Sequence, residues 1–136
     1  SKSDPNDSSR INLLDTPEAI TKKIKRAKTD NVIGLEFNNP NRPEANNLLV
    51  LYAILTGTEK DEAARVCAEM SWGEFKPLLA EATVSALKPI QTKYRELIKD
   101  KAEITRILQN GSQKAGEVAK LTLGKIQRSI GLLSRN

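Results

Sequence analysis

Three groups of cations and one indole are the side chains of this 136-residue chain whose types and spacing could do chemistry. Lys2 stands between Ser1 and Ser3, ahead of the turn formers Pro5, Asn6 and Asp7, which puts an ammonium on a polar, turn-rich arm. Lys22, Lys23, Lys25, Arg26 and Lys28 crowd five positive charges into two helical turns, a density that suits phosphate oxygens. Lys125 and Arg128 form a third group near the C-terminus, with Arg135 beyond them. Trp72 offers a ring at a helix start, where an unpaired base can stack. Each feature has a plainer reading beside it. The arm and the basic helix can be solvated surfaces, and the indole can be core.

What is missing narrows the chemistry further. There is no histidine, which removes Ser-His and Cys-His catalysis, zinc sites of the Cys/His type and the commonest general base. No metal site is expected. The single cysteine, Cys67, lies in an apolar helical pattern and reads as a small buried hydrophobe. A lone cysteine excludes an internal disulfide and fits a reducing compartment. Any reaction would rest on lysine, arginine or carboxylates. A net charge of +5 and a pI near 9.4 favour an anionic partner. No apolar run approaches the roughly 20 residues of a membrane span, and no signal peptide is visible at the N-terminus. The stretch GSQKAG (111–116) has neither the P-loop nor the dinucleotide spacing, so its glycines read as a helix stop and a packing position.

The elements that must position these side chains are helical. Thr16 reads as an N-cap, Pro17 fits the first helical position and Glu18 suits the positive end of the dipole. Ile20, Ile24 and Ala27 then form a narrow apolar stripe, with Lys22, Lys25 and Arg26 pointing away from it. A connector with Gly34, Pro40 and three asparagines leads to a buried helix from Pro43 to Thr56, stopped by Gly57. A short helix capped by Thr58 follows, facing inward through Ala63, Val66, Cys67 and Met70. Ser71 and Glu74 make a capping box for a long helix with Phe75, Leu78, Leu79, Ala82, Ala86, Ile90, Tyr94 and Leu97 in register, bent at Pro89. Phe75, Tyr52 and Tyr94 fall on apolar stripes and are expected in the core. Another short helix ends at Asn110-Gly111, and a last one carries Ala115, Val118, Ala119, Thr122, Ile126, Ile130 and Leu133 on one face. The expected fold is all-α, a bundle of about six helices with Leu48–Leu55 near its centre.

The opening residues allow a more specific reading. SKS matches the last three residues of KMSKS, the signature loop of class I aminoacyl-tRNA synthetases. The continuation SKSDPN…SRINLLDTPEAITKKIKRAKTD resembles the segment after that loop in the bacterial-type tryptophanyl-tRNA synthetases. The stretches NNLLVLYAILTG, FKPLLAEA, LKPIQTKYRELI and GSQKAGEVAKLTLGKIQRSIGL are also similar to that family, and they occur in its order. The Pro-Glu…Lys-Ile…Thr-Asp run favours the tryptophan enzymes over the tyrosine ones.

The resemblance implies a C-terminal piece of such an enzyme, beginning inside the signature loop. Residues 1–15 would be the remnant of that loop and a linker, and 16–136 the helical anticodon-binding domain. The loop's first lysine and the nucleotide-binding catalytic domain would lie outside the chain. The lack of histidine agrees, because the family's other signature, HIGH, contains two. By resemblance Lys2 is the loop's second lysine, which stabilises charge on the departing pyrophosphate, and Ser1 and Ser3 flank it at the ATP phosphates. ATP with Mg2+, L-tryptophan and tRNA(Trp) are the implied partners of the whole enzyme, a homodimer of the bacterial cytoplasm or of an organelle. The chain alone would bind neither cofactor, would be inactive and would be monomeric. Lys22, Lys25, Arg26, Trp72, Lys125 and Arg128 are its candidate tRNA contacts. Two other classes fit the same residues: a stand-alone basic RNA-binding module and a helical protein-interaction domain.

Overall fold

The computed structural model describes residues 4–132. They contain five α-helices, one 3-10 turn at Asp7–Ser9 and no strand. The helices are α1 (Pro17–Arg26), α2 (Pro43–Thr56), α3 (Lys60–Cys67), α4 (Trp72–Leu97) and α5 (Lys101–Ser129). Two compact units divide the chain between Thr92 and Lys93, within α4.

The first unit holds the core. Phe75, Leu79, Leu49, Ile20 and Cys67 are wholly enclosed, so α1, α2, α3 and α4 all contribute. Tyr52 and Trp72 both meet Phe75 edge to face, with ring centroids 5.8 and 6.0 Å away. Such contacts add to area burial. Local signals set the ends of these helices. The Thr16 hydroxyl accepts from the Ala19 N–H at 3.2 Å, and Gly57 ends α2 with φ +66°. Glu74 reaches back to the Ser71 N–H and hydroxyl at 2.8 and 2.7 Å, which is one half of the expected capping box. At α3 the cap differs from expectation. Glu59 is the N-cap and makes no side-chain cap bond, while the Thr58 hydroxyl pairs with that of Thr56 at 2.7 Å.

Two long-range ties fix the loops. Gln91 of α4 donates to the carbonyls of Leu13 and Asp15 at 2.9 and 3.0 Å, holding the segment before α1. In the connector after α1, the N–H groups of Gly34 and Leu35 donate to Met70 and Cys67 carbonyls at 3.0 and 3.1 Å. Gly34 has φ +82°, and a Cβ there would run into the backbone carbonyl of Ala68. Only glycine suits both conditions.

The second unit corrects two expectations. Asn110 and Gly111 do not end a helix. α5 runs through them for 29 residues, because an isolated glycine lowers helix propensity without breaking the backbone ladder. The expected six helices are therefore five. The apolar stripe of that region is real as periodicity but buries nothing: α5 has no buried residue, and Val118, Ile126 and Ile130 are exposed. Tyr94, expected in the core, is 43% exposed for the same reason. α4 passes through Pro77 and Pro89 without ending.

Candidate nucleic-acid interface

The five cations of α1 have separate fates. Lys23 is committed: its ammonium holds Asp15 at 2.6 Å and Asp7 at 2.7 Å. The hydrogen bonds to Asp15 and Asp7 raise its pKa. Lys28 pairs with Glu44 at 2.8 Å. Lys22, Lys25 and Arg26 are exposed and have no ion pair among the described residues. The sequence pattern had placed these three on the outer face, and the structure agrees.

Lys25 and Trp72 lie 47 residues apart in sequence and line one cleft. Thr21 and Lys25 of α1 form one wall, and Trp72, Gly73, Lys76 and Pro77 of α4 the other, around about 500 Å3. Lys76 closes the end of α1. It donates to the carbonyls of Ala27 at 2.8 Å and Lys25 at 3.2 Å, a cation at the negative end of the helix dipole. Burial pushes its pKa down. Lys25 remains the uncommitted cation of this cleft. Arg26, one residue on, lines a different cleft with Leu51 and Leu55. The three free cations of α1 share one helix face at positions i, i+3 and i+4, with Lys25 and Arg26 lining different clefts.

A network that the sequence reading missed fixes the indole. Trp72 is half-buried, and its Nε1–H donates to Asp30 at 3.0 Å. Asp30 in turn holds the Arg42 guanidinium through two bonds of 2.7 and 3.1 Å. Arg42 is 7% exposed; it also donates to the carbonyls of Gly34 and Val32 at 2.8 and 3.1 Å, and its Nη1 lies 3.7 Å from the Glu36 carboxylate. The Arg42 bonds, with those from Val32 and Trp72, hold the Asp30 carboxyl well below the usual carboxylate range. This guanidinium ties the connector to the start of α2. The signal available was an aspartate and an arginine flanking a turn-rich connector, a pattern too common to single out. One edge of Trp72 thus has a structural task, and its place in the cleft is rigid.

Lys125 and Arg128 are exposed on the last turns of α5, in the second unit. Neither has an ion pair among the described residues. Ser1, Lys2 and Ser3 lie outside the described residues, as do Leu133 and Arg135.

Comparison with known proteins bears on this arrangement. A family model described as tRNA synthetases class I (W and Y) matches residues 1–88. A tryptophan–tRNA ligase of Prochlorococcus marinus (strain MIT 9313) is 60% identical over 133 residues, 98% of this chain and 40% of that protein. The tryptophan–tRNA ligase of Synechocystis sp. is 51% identical over 134 residues, again 98% and 40%. A chloroplastic/mitochondrial tryptophan–tRNA ligase of Arabidopsis thaliana is 47% identical over 135 residues, 99% of this chain and 33% of that one. The crystal structure of tryptophanyl-tRNA synthetase from Mycoplasma pneumoniae superposes with a TM-score of 0.83 at 27% identity, covering 98% of this chain and 41% of that one. The chain spans about 40% of the length of these bacterial relatives.

Proposed function

The chain belongs to the class I tRNA synthetases of the tryptophan and tyrosine branch, and from that premise we propose that it is the C-terminal, tRNA-binding portion of a tryptophan–tRNA ligase. The observation that carries this is the 60% identity to a tryptophan–tRNA ligase across nearly the whole chain. The parent reaction joins L-tryptophan to tRNA(Trp) through an adenylate made from ATP with Mg2+, releasing pyrophosphate and then AMP. Residues 16–136 form the helical part that meets the anticodon arm, and residues 1–15 carry the end of the signature loop and a linker. Lys2, with Ser1 and Ser3, meets the ATP phosphates in the whole enzyme; this role rests on the resemblance. The whole enzyme is a homodimer in the cytoplasm of a bacterium or in an organelle. By the same reading the chain by itself is a monomer without ligase activity, since adenylate formation needs ATP and tryptophan held together in one site.

The RNA contact divides between two kinds of surface. Lys25 and Trp72 supply one cation and one rigid ring in a single cleft, the pairing that a phosphate and an unstacked base require. Lys22 and Arg26 flank it as exposed charges on α1, and Lys125 and Arg128 add charge on α5. Filter binding of tRNA(Trp), and of the same tRNA with an altered anticodon, tests the reading. The unaltered tRNA is expected to bind more tightly. Equal binding of both would leave a basic RNA-binding module. No binding at low salt would favour a protein-interaction domain.

A further inference from the structure

The second cleft of the first unit lies away from Trp72, and its lining has a chemistry of its own. It encloses about 680 Å3 between the segment before α1, α1 itself, α2 and α4. That volume is within the range of small-molecule sites. One wall is a track of leucines on α2: Leu48, Leu51 and Leu55, each half-buried. Their spacing of three and then four residues puts them on one face, about 10 Å from end to end. Ile11 and Leu87 continue the apolar surface, and no aromatic ring lines it. The rim carries four cations and no carboxylate.

Those cations are unequal. Arg10 and Lys23 are tied to Asp7 and Asp15, and Lys28 to Glu44. Arg26 alone of the four has no carboxylate partner among the described residues. An apolar row of leucines that shares its cleft with one uncompensated guanidinium is complementary to an unbranched alkyl chain ending in a single negative charge. We propose that this cleft is a binding site for a free medium-chain aliphatic carboxylate, with the chain along Leu48, Leu51 and Leu55 and the carboxylate on Arg26. A cationic head group would meet the uncompensated Arg26 guanidinium, and a neutral one would leave it without a counter-charge. A flat aromatic ligand would find no ring to stack on. The proposal does not depend on the RNA-binding reading.

The test uses the whole 136-residue chain. Decanoate, octanoate and decylamine are titrated while amide resonances are followed by NMR. Decanoate is expected to bind with a Kd on the order of 1 mM or tighter, the range reached by a ligand of about a dozen heavy atoms. Shifts should cluster at α2, Arg26 and Ile11. Octanoate, two methylenes shorter, should bind roughly fifteenfold more weakly, since each buried methylene is worth about fourfold. Arg26→Glu should weaken decanoate by roughly fivefold or more and spare decylamine. Leu51→Lys tests the track, and a retained amide spectrum shows that it still folds. Three results would overturn the proposal: no decanoate binding at several times the expected Kd, equal affinity for decylamine and decanoate, or shifts confined to the exposed apolar face of α5.

Discussion

At the scale of single residues, Arg42 carries more structure than any cation the sequence drew attention to. Its guanidinium joins Asp30, Gly34 and Val32, and through Asp30 it fixes the Trp72 ring. Arg42→Met removes the donors and leaves Asp30 with less compensation, which should cost about 2 kcal/mol or more in urea unfolding at pH 7. The pH dependence supplies a sharper check. Asp30 has a folded-state pKa below its ordinary value near 4, so its contribution is fully present above about pH 4 and is lost as pH falls toward the folded value. The gap in stability between wild type and Arg42→Met should therefore narrow below about pH 4; a gap constant down to pH 2.5 would exclude the ion pair as its source. Lys2 is a different case, since its importance lies in the whole enzyme. There Lys2→Ala should slow adenylate formation about a hundredfold, on the order of 3 kcal/mol, with tryptophan binding little changed. Pre-steady-state adenylate formation measures this, and a normal rate constant would reduce Lys2 to a solvated loop residue. The two residues show what a sequence makes visible. Lys2 stands in a signature, whereas Arg42 gains its role only when the connector folds back over it.

At the scale of elements, legibility follows how local the cause is. Thr16, Pro17, Pro43 and Gly57 act within one helical turn, and the starts of α1 and α2 and the end of α2 fall where those residues predict. The connector after α1 was readable only as a run of turn formers, because its shape comes from bonds to the end of α3. Gly34 is the residue that permits this approach. Gly34→Ala combines a left-handed φ with a collision against the Ala68 carbonyl, so it should destabilise by about 3 kcal/mol or more. A thermal melt within a degree of wild type would show that the connector relaxes away from α3. Gly111 predicts the opposite sign. A Cβ there meets nothing within 4 Å, and the residue sits inside a continuous helix. Gly111→Ala should then gain roughly 0.5–1 kcal/mol of local helix stability, seen as a rise in far-UV helicity. A fall in helicity would restore the helix stop that the Asn-Gly pair first implied. Periodicity was sound for α5 but did not establish burial, since an apolar stripe states only which face would be covered.

At the scale of the whole molecule, the two units divide the work of charge. Ten of the 22 cations but only four of the 17 acids fall in residues 93–136, which leaves that unit at +6 and residues 1–92 at −1. The basic excess that pointed to an anionic partner therefore belongs to the second unit, although the densest run of lysines is on α1. α1 is locally basic, but Asp7, Asp15 and Glu44 offset Lys23 and Lys28. This partition separates two contributions to RNA binding that a single affinity would merge. Contacts with phosphates release counterions, so each lost contact lowers the slope of log K against log salt by about 0.7 to 0.9. The variant Lys125→Ala, Arg128→Ala should lower that slope by about 1.5 while weakening every RNA alike. The variant Lys22→Ala, Lys25→Ala, Arg26→Ala should lower it less, by about one. Trp72→Leu should leave the slope unchanged and reduce affinity only for RNA with an unpaired base to stack, by roughly tenfold. Salt titrations of tRNA(Trp) and of a fully paired duplex, run on the three variants, separate these effects. If the α5 variant keeps the wild-type slope, the charge of the second unit does not face RNA, and binding must be sought on the α1 face alone.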